Sequence, residues 1–175
     1  KVSRETLSVD EGGTTAGYDL VLESRPARPV VVTVDGGSQL NAEPANLTFT
    51  SSNWNEAQRV TVRAVDDNVD EADAQAALSH LLSSEDGFYD GLPAAGVSVA
   101  VADNDTAAVL LSTTVLPVPE GSSVSSYTVR LGTKPLQAVV IDLSSSQGIV
   151  VSTGSCSDEE GACLTFTPEN WNSAQ

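Results

Sequence analysis

Short runs in which apolar and polar residues alternate recur along the chain, separated by clusters rich in glycine, proline, asparagine and aspartate. The alternation is clearest in Val60, Val62 and Ala64 and again in Val97, Val99 and Val101. Successive side chains of a strand point to opposite faces, so each of these rows turns one apolar edge toward a core. The pattern predicts seven strands in the first part of the chain, near residues 7–9, 17–23, 29–34, 46–50, 58–65, 75–83 and 96–102. The best helical candidate, the alanine-rich stretch 70–82, also fits period two through Leu78, His80 and Leu82.

Seven short antiparallel strands in roughly 105 residues suit an all-β, immunoglobulin-like sandwich. Comparing the chain with itself extends this reading. Residues 7–34 match residues 116–143 at a constant offset of 109, which pairs Glu11 with Glu120, Tyr18 with Tyr127, Leu22 with Leu131 and Pro26 with Pro135. A second block, LTFTSSNWNEAQ at 47–58, matches LTFTPENWNSAQ at 164–175 at an offset of 117, so the second copy carries eight extra residues between the blocks. The organisation expected is tandem sandwiches, with a complete repeat over 1–105 and the first half of a second over 106–175, truncated at the equivalent of Gln58. The chain has no methionine, and Lys1 is read as an internal position of a longer precursor. Tyr18, Trp54 and their counterparts Tyr127 and Trp171 are read as packing residues.

Charge narrows the function. Aspartate and glutamate number 24 against 8 lysines and arginines, which opposes nucleic acid and anionic lipid as partners. No window approaches 18 consecutive apolar residues, so no membrane insertion is expected, and no signal peptide opens the chain. The acids are uneven: five fall within 66–73, namely Asp66, Asp67, Asp70, Glu71 and Asp73. If successive strands run antiparallel, the first, third, fifth and seventh all end at one pole. That pole then collects Asp10 and Glu11, Asp66, Asp67, Asp70 and Glu71, and Asp103 and Asp105. Carboxylates that close repel one another unless a cation intervenes. Calcium, which accepts six to eight oxygens in a flexible geometry, fits best; magnesium is second, and zinc is disfavoured because the region lacks cysteine and His80 is mid-strand. Solvated acidic turns are the alternative.

Three motifs together, V-D-E-G-G at 9–13, A-V-D-D-N-V-D-E-A-D at 64–73 and V-A-D-N-D at 101–105, resemble the Calx-β domain of sodium/calcium exchangers, integrin β4 and large surface adhesins. The resemblance spans residues 2–105 and restarts at Val109. It implies a seven-stranded calcium-binding sandwich with Glu11, Asp66, Asp67, Glu71, Asp103 and Asp105 as ligands and Asp70 as a weaker addition. The pattern departs from the family in closing on D-N-D rather than three aspartates, and in Ala72 and Asp73 where Gly-Asp-Glu is usual, so one ion per repeat is expected. In the second copy only Glu120 of this set is present, with Pro119 in place of Asp10. The N-W-N-x-A-Q block is not a usual family signature and suggests very long repeat proteins, similar to cell-surface adhesins or to the axial protein of flagellar hairs (mastigonemes).

Cys156 and Cys163 are expected to form a disulfide, which implies an oxidising compartment. Two sequons, at Asn46 and Asn104, would accept glycans in a secreted protein. His80 is the only histidine and is read as a packed strand residue; no nucleophile elbow, phosphate loop or cysteine–histidine pair can be assembled, so no enzyme is expected. The function expected is a structural or adhesive repeat of an extracellular or cell-surface filament, stiffened by calcium between repeats, with neighbouring repeats and other filament or surface proteins as partners. A regulatory calcium sensor and a ligand-binding adhesin module are the alternatives.

Overall fold

The computed structural model describes residues 1–121, 124–146, 148–153 and 162–175. It is all-β; no helix occurs among the described residues, so none is long and apolar enough to cross a membrane. The chain divides into two compact units, one of Lys1–Asp67 with Ala72–Asn104, the other of Asn68–Glu71 with Asp105–Gln175.

The first unit is an immunoglobulin-like sandwich. Its strands are β1 (Thr6–Asp10), β2 (Ala16–Leu20), β3 (Val30–Asp35), β4 (Leu40–Glu43), β5 (Asn46–Phe49), β6 (Gln58–Ala64), β7 (Ala74–Ser84) and β8 (Val97–Ala102). They form a five-stranded sheet in the order β1-β8-β7-β3-β5 and a three-stranded sheet in the order β2-β6-β4. All seven predicted strands are present, and the 70–82 stretch is a strand from Ala74 onward, with Leu78, His80 and Leu82 buried and Ala77, Ser79 and Leu81 exposed. One side of every strand faces the core, where Val9, Tyr18, Val30, Phe49, Val60, Val62, Leu78 and Val99 are almost fully buried. Each such residue contributes roughly 1.5–3 kcal/mol by leaving water.

Two features differ from the expected layout. An eighth strand, β4, pairs antiparallel with β6 through Leu40↔Ala64 and Ala42↔Val62. It is only four residues long, with Leu40 buried and Ala42 half-buried against the core, so its alternation is too short to stand out from the Gly- and Asn-containing segment around it. β1 runs parallel, not antiparallel, to β8, in the register Leu7↔Val99 and Val9↔Val101. Both strands therefore end at the same pole.

The second unit contains β9 (Val109–Leu111), paired antiparallel with β10 (Val129–Leu131), and β11 (Val139–Leu143), paired antiparallel with β12 (Ala162–Phe166). Val129, Leu131, Leu164 and Phe166 are buried between them, with Tyr127, Val139, Ile141, Leu143 and Trp171 half-buried around them. Its loop 68–71 is held by backbone donors: Lys134 N to Asn68 O at 2.7 Å and Ala107 N to Asp70 Oδ2 at 2.9 Å. Leu116 and Val118, which align with Leu7 and Val9, form no strand. In the first unit the corresponding strand is held by β8.

A polar pair crosses the core of the first unit. The Tyr18 hydroxyl on β2 lies 2.6 Å from His80 Nε2 on β7, in the opposite sheet, and the rings meet edge to face at 5.5 Å. His80 Nδ1 lies 2.7 Å from the Ala95 carbonyl, which can only accept, so Nδ1 carries the proton and Nε2 of the neutral ring accepts from Tyr18. Burial pushes the Tyr18 hydroxyl up to about 12, which keeps it a donor. Burial also lowers the His80 pKa below 6.5, against the raising effect of its bond to Ala95. The unfolded chain therefore takes up the proton first. The stability held by the neutral ring is present above pH ~6.5 and is lost as pH falls toward the folded-state value. The melting temperature is expected to decline between pH 7.5 and 5.5. His80→Gln, which keeps an acceptor for Tyr18 without titrating, should flatten that decline; equal slopes in both proteins would exclude His80 as the group responsible.

Candidate metal centre

The pole where β1, β6 and β8 end is built by backbone pairing that outlasts the strands. Glu11 N donates to Ala102 O at 3.0 Å, one step beyond the last β1–β8 pair, and Val65 N donates to Gln39 O at 2.9 Å, one step beyond β6. These bonds fix where Glu11 and the Asp66, Asp67 pair leave the sheets. After Glu11 the chain turns back, with Gly13 N bonded to Asp10 O at 3.1 Å and Gly12 at φ +59°. A side chain at Gly12 would be strained, and its Cβ would fall 2.9 Å from both Asn104 Nδ2 and Asp66 Oδ1.

Asn104 ties this pole together. Its Nδ2 donates to the Glu11 carbonyl at 2.5 Å and to Asp66 Oδ1 at 3.1 Å. A neutral donor between two acidic segments satisfies an acceptor on each without adding charge. Glu11, Asp67 and Asp105 each present a carboxylate oxygen, and these oxygens all lie within 4.8 Å of one another. Glu11 is buried, Asp105 half-buried and Asp67 exposed. At that spacing each ionised pair is repelled by roughly 3 kcal/mol for an effective dielectric near 20. An all-oxygen set of this kind matches a hard cation such as calcium and has no sulfur or imidazole ligand to favour zinc.

Asp66 accepts from Asn104, and Asp70 accepts from Ala107 N. Asp103 is positioned through its backbone, which donates to Asp73 Oδ1 at 3.2 Å, and neither Asp103 nor Glu71 belongs to the close trio. Asn104 and Asp73 were not singled out as positioning residues by sequence reasoning. The signal available for Asn104 was the D-N-D motif itself, in which an amide donor stands between two acceptors. Asn46 opens β5, and its Oδ1 accepts from Thr33 Oγ1 at 2.8 Å. Cys163 on β12 is disulfide-bonded, and Cys156, its expected partner, lies outside the described residues. His80 is held in the core by Tyr18 and Ala95, away from these carboxylates in sequence and in its bonding.

No protein-family profile matches the sequence, and neither does any curated protein. Among solved structures, the chain is similar to the periplasmic chaperone SfaE at 6% identity, covering 75% of this chain and 91% of that one, with a TM-score of 0.45. It is also similar to CBD12 from CALX1.2 at 17% identity, covering 79% of this chain and 58% of that one, with a TM-score of 0.41. A third likeness is to SSP-19, an MSP-domain protein-like family member of Caenorhabditis elegans, at 13% identity over 57% and 94% of the two chains and a TM-score of 0.38. At these scores the fold class rests on the strand order of this chain itself.

Gly12→Ala is expected to destabilise the first unit by more than the about 1–2 kcal/mol of a left-handed backbone alone, because the methyl group also crowds Asn104 and Asp66. Gly37, at φ +64° with nothing within 4 Å, supplies the comparison. Denaturant unfolding that gave equal losses for Gly12→Ala and Gly37→Ala would rule out the crowding at this pole.

Proposed function

We propose that the chain is part of a calcium-binding, tandem-repeat protein of the cell exterior, in which a cation held by Glu11, Asp67 and Asp105 consolidates the end of one sandwich repeat and restrains the chain as it passes into the next. The observation that carries this reading is the approach of three carboxylates from positions 11, 67 and 105 to within 4.8 Å. Nothing in the hydrophobic pattern requires that arrangement, and without a cation it costs stability. Asp66 is tied to Glu11 through Asn104. The Calx-β resemblance of the three acidic motifs points to the same cation.

The repeat reading has its own support. Leu22 N donates to Trp54 O at 3.0 Å, and Leu131 N donates to Trp171 O at 2.9 Å. Asn53 Oδ1 accepts from Thr50 N, and Asn170 Oδ1 accepts from Thr167 N. Gln58 Nε2 reaches Thr48 O, and Gln175 Nε2 reaches Thr165 O. The disulfide at Cys163 suits an oxidising exterior. A filament or surface setting, as in adhesins or flagellar hairs, follows from repetition of such modules, and glycans at Asn46 and Asn104 belong to the same setting. At Asn104 a glycan would compete with the bonds its amide makes to Glu11 and Asp66.

Calcium titration followed by calorimetry is expected to reveal binding that Glu11→Gln, Asp67→Asn or Asp105→Asn weakens at least tenfold. At a free concentration of 100 Kd the ion should add about 2.7 kcal/mol of stability, seen as a raised melting temperature that chelator reverses. An affinity near 10⁻⁴–10⁻³ M fits a constantly loaded exterior strut, whereas a submicromolar one favours a regulatory sensor. Melting and small-angle scattering curves unchanged by chelator would sink the proposal.

A further inference from the structure

We propose that the N-W-N-x-A-Q block is an edge guard: the side chains of Asn53 and Gln58 occupy outer main-chain groups of β5 and keep that edge from pairing with the same edge of a second copy of this chain. β5 is the last strand of the five-stranded sheet and pairs on one side only, with β3. Bonded and non-bonded pairs alternate along an antiparallel ladder. Val34 N donates to Ala45 O at 2.9 Å, which makes Val32↔Leu47 and Val30↔Phe49 the bonded pairs. The N–H and C=O groups of Asn46 and Thr48, and of Thr50 just past the strand, therefore face away from β3. An edge that presents such a row is a template for another strand.

The block fills the row from within the chain. Asn53 Nδ2 donates to Thr48 O at 3.2 Å, while Asn53 Oδ1 accepts from Thr50 N at 2.6 Å. One amide thus supplies both the donor and the acceptor that a neighbouring strand would bring. Gln58 Nε2 is a second donor to Thr48 O, at 2.9 Å. Trp54 fixes the block between them, half-buried against the core and with its carbonyl accepting from Leu22 N at 3.0 Å. Asn46 is then the one outward residue of β5 without such a cap among the described residues. Two bonds at a single residue do not offset the entropy of ordering an added strand.

The second unit carries the same device. Asn170 Nδ2 donates to Thr165 O at 3.3 Å, Asn170 Oδ1 accepts from Thr167 N at 2.5 Å, and Gln175 Nε2 adds a bond of 2.8 Å to Thr165 O. The counterpart of Asn46 there is Cys163, at the same step of the ladder, since Asp142↔Cys163 corresponds to Thr33↔Asn46. Its carbonyl is covered as well, by Thr153 Oγ1 at 2.7 Å. Two like edges in one chain make like-to-like pairing the hazard to be met, because identical strands offer one another a ready register. The inference uses neither the carboxylate trio nor a cation, so it and the preceding proposal can fail separately.

The test is sedimentation velocity combined with amide hydrogen exchange on the full chain. The unaltered protein is expected to be monomeric, with the outward amides of Asn46 and Thr48 exchanging freely. Asn53→Ala with Gln58→Ala, which uncovers Thr48 O and Thr50 N, should raise the association constant at least tenfold and slow exchange at Asn46 and Thr48 at least fivefold in the dimer. Adding Thr48→Lys, a charge on the opened edge, should return the monomer, which it would not do had the lost side chains served the fold alone. A folded double variant that stays monomeric, or a dimer in which Asn46 and Thr48 still exchange freely, overturns the proposal. So does a dimer of the unaltered protein with these amides protected. Where the double variant loses its fold, Gln58→Met, which removes one donor and leaves Asn53 in place, gives the same readout: it should dimerise at higher concentration, and a monomer at every soluble concentration overturns the proposal.

Discussion

The parallel pairing of β1 with β8 is the constraint from which the rest of the first unit follows. It joins strands more than ninety positions apart in the sequence and closes the five-stranded sheet at its edge. Parallel partners point the same way, so both chain segments leave the sheet at one pole, and the backbone bond from Glu11 to Ala102 extends the ladder to its rim. β6 of the facing sheet ends at the same pole. Three acidic segments are gathered there by main-chain geometry, before any attraction or repulsion among their side chains is considered.

That gathering works against the fold unless something compensates. Two kinds of compensation are built from this chain's own residues. Asn104 is neutral and donates to acceptors on two of the acidic segments; backbone amides at Asp103 and Ala107 take up oxygens of Asp73 and Asp70. These bonds satisfy one oxygen each of Asp66, Asp70 and Asp73, while Glu11, Asp67 and Asp105 bring carboxylate oxygens within 4.8 Å of one another. Of the six ligands expected from motif positions, Glu11, Asp67 and Asp105 are the ones whose carboxylates stand in direct proximity.

What could be read from the sequence, and what could not, divides along physical lines. β6, β7 and β8 were legible because Val60, Val62, Leu78, Val97 and Val99 each bury one face of a two-faced strand, and alternation records that. β4 was not, since its alternation is confined to two apolar residues, Leu40 and the small Ala42, too short a run to separate from the surrounding turn residues. The convergence of positions 11, 67 and 105 was legible from strand parity, which points the first and last predicted strands the same way, as the parallel β1–β8 pairing does. The parts played by Asn104 and Asp73 were hidden because they depend on which way individual amides and carboxylates turn. The Tyr18–His80 bond was equally hidden, for it joins residues from opposite sheets that no periodicity connects.

The β1–β8 pairing also determines how the first sandwich would bear load. Tension applied through its two chain ends draws β1 toward its start and β8 toward its end, in opposite directions along neighbouring strands. The five paired positions from Thr6↔Ser98 to Asp10↔Ala102 are then strained together in shear, and cannot be opened one at a time as in a peeling hairpin. Such a module resists extension until the whole edge yields at once, a mechanical property fixed by strand direction and independent of how much surface the core buries.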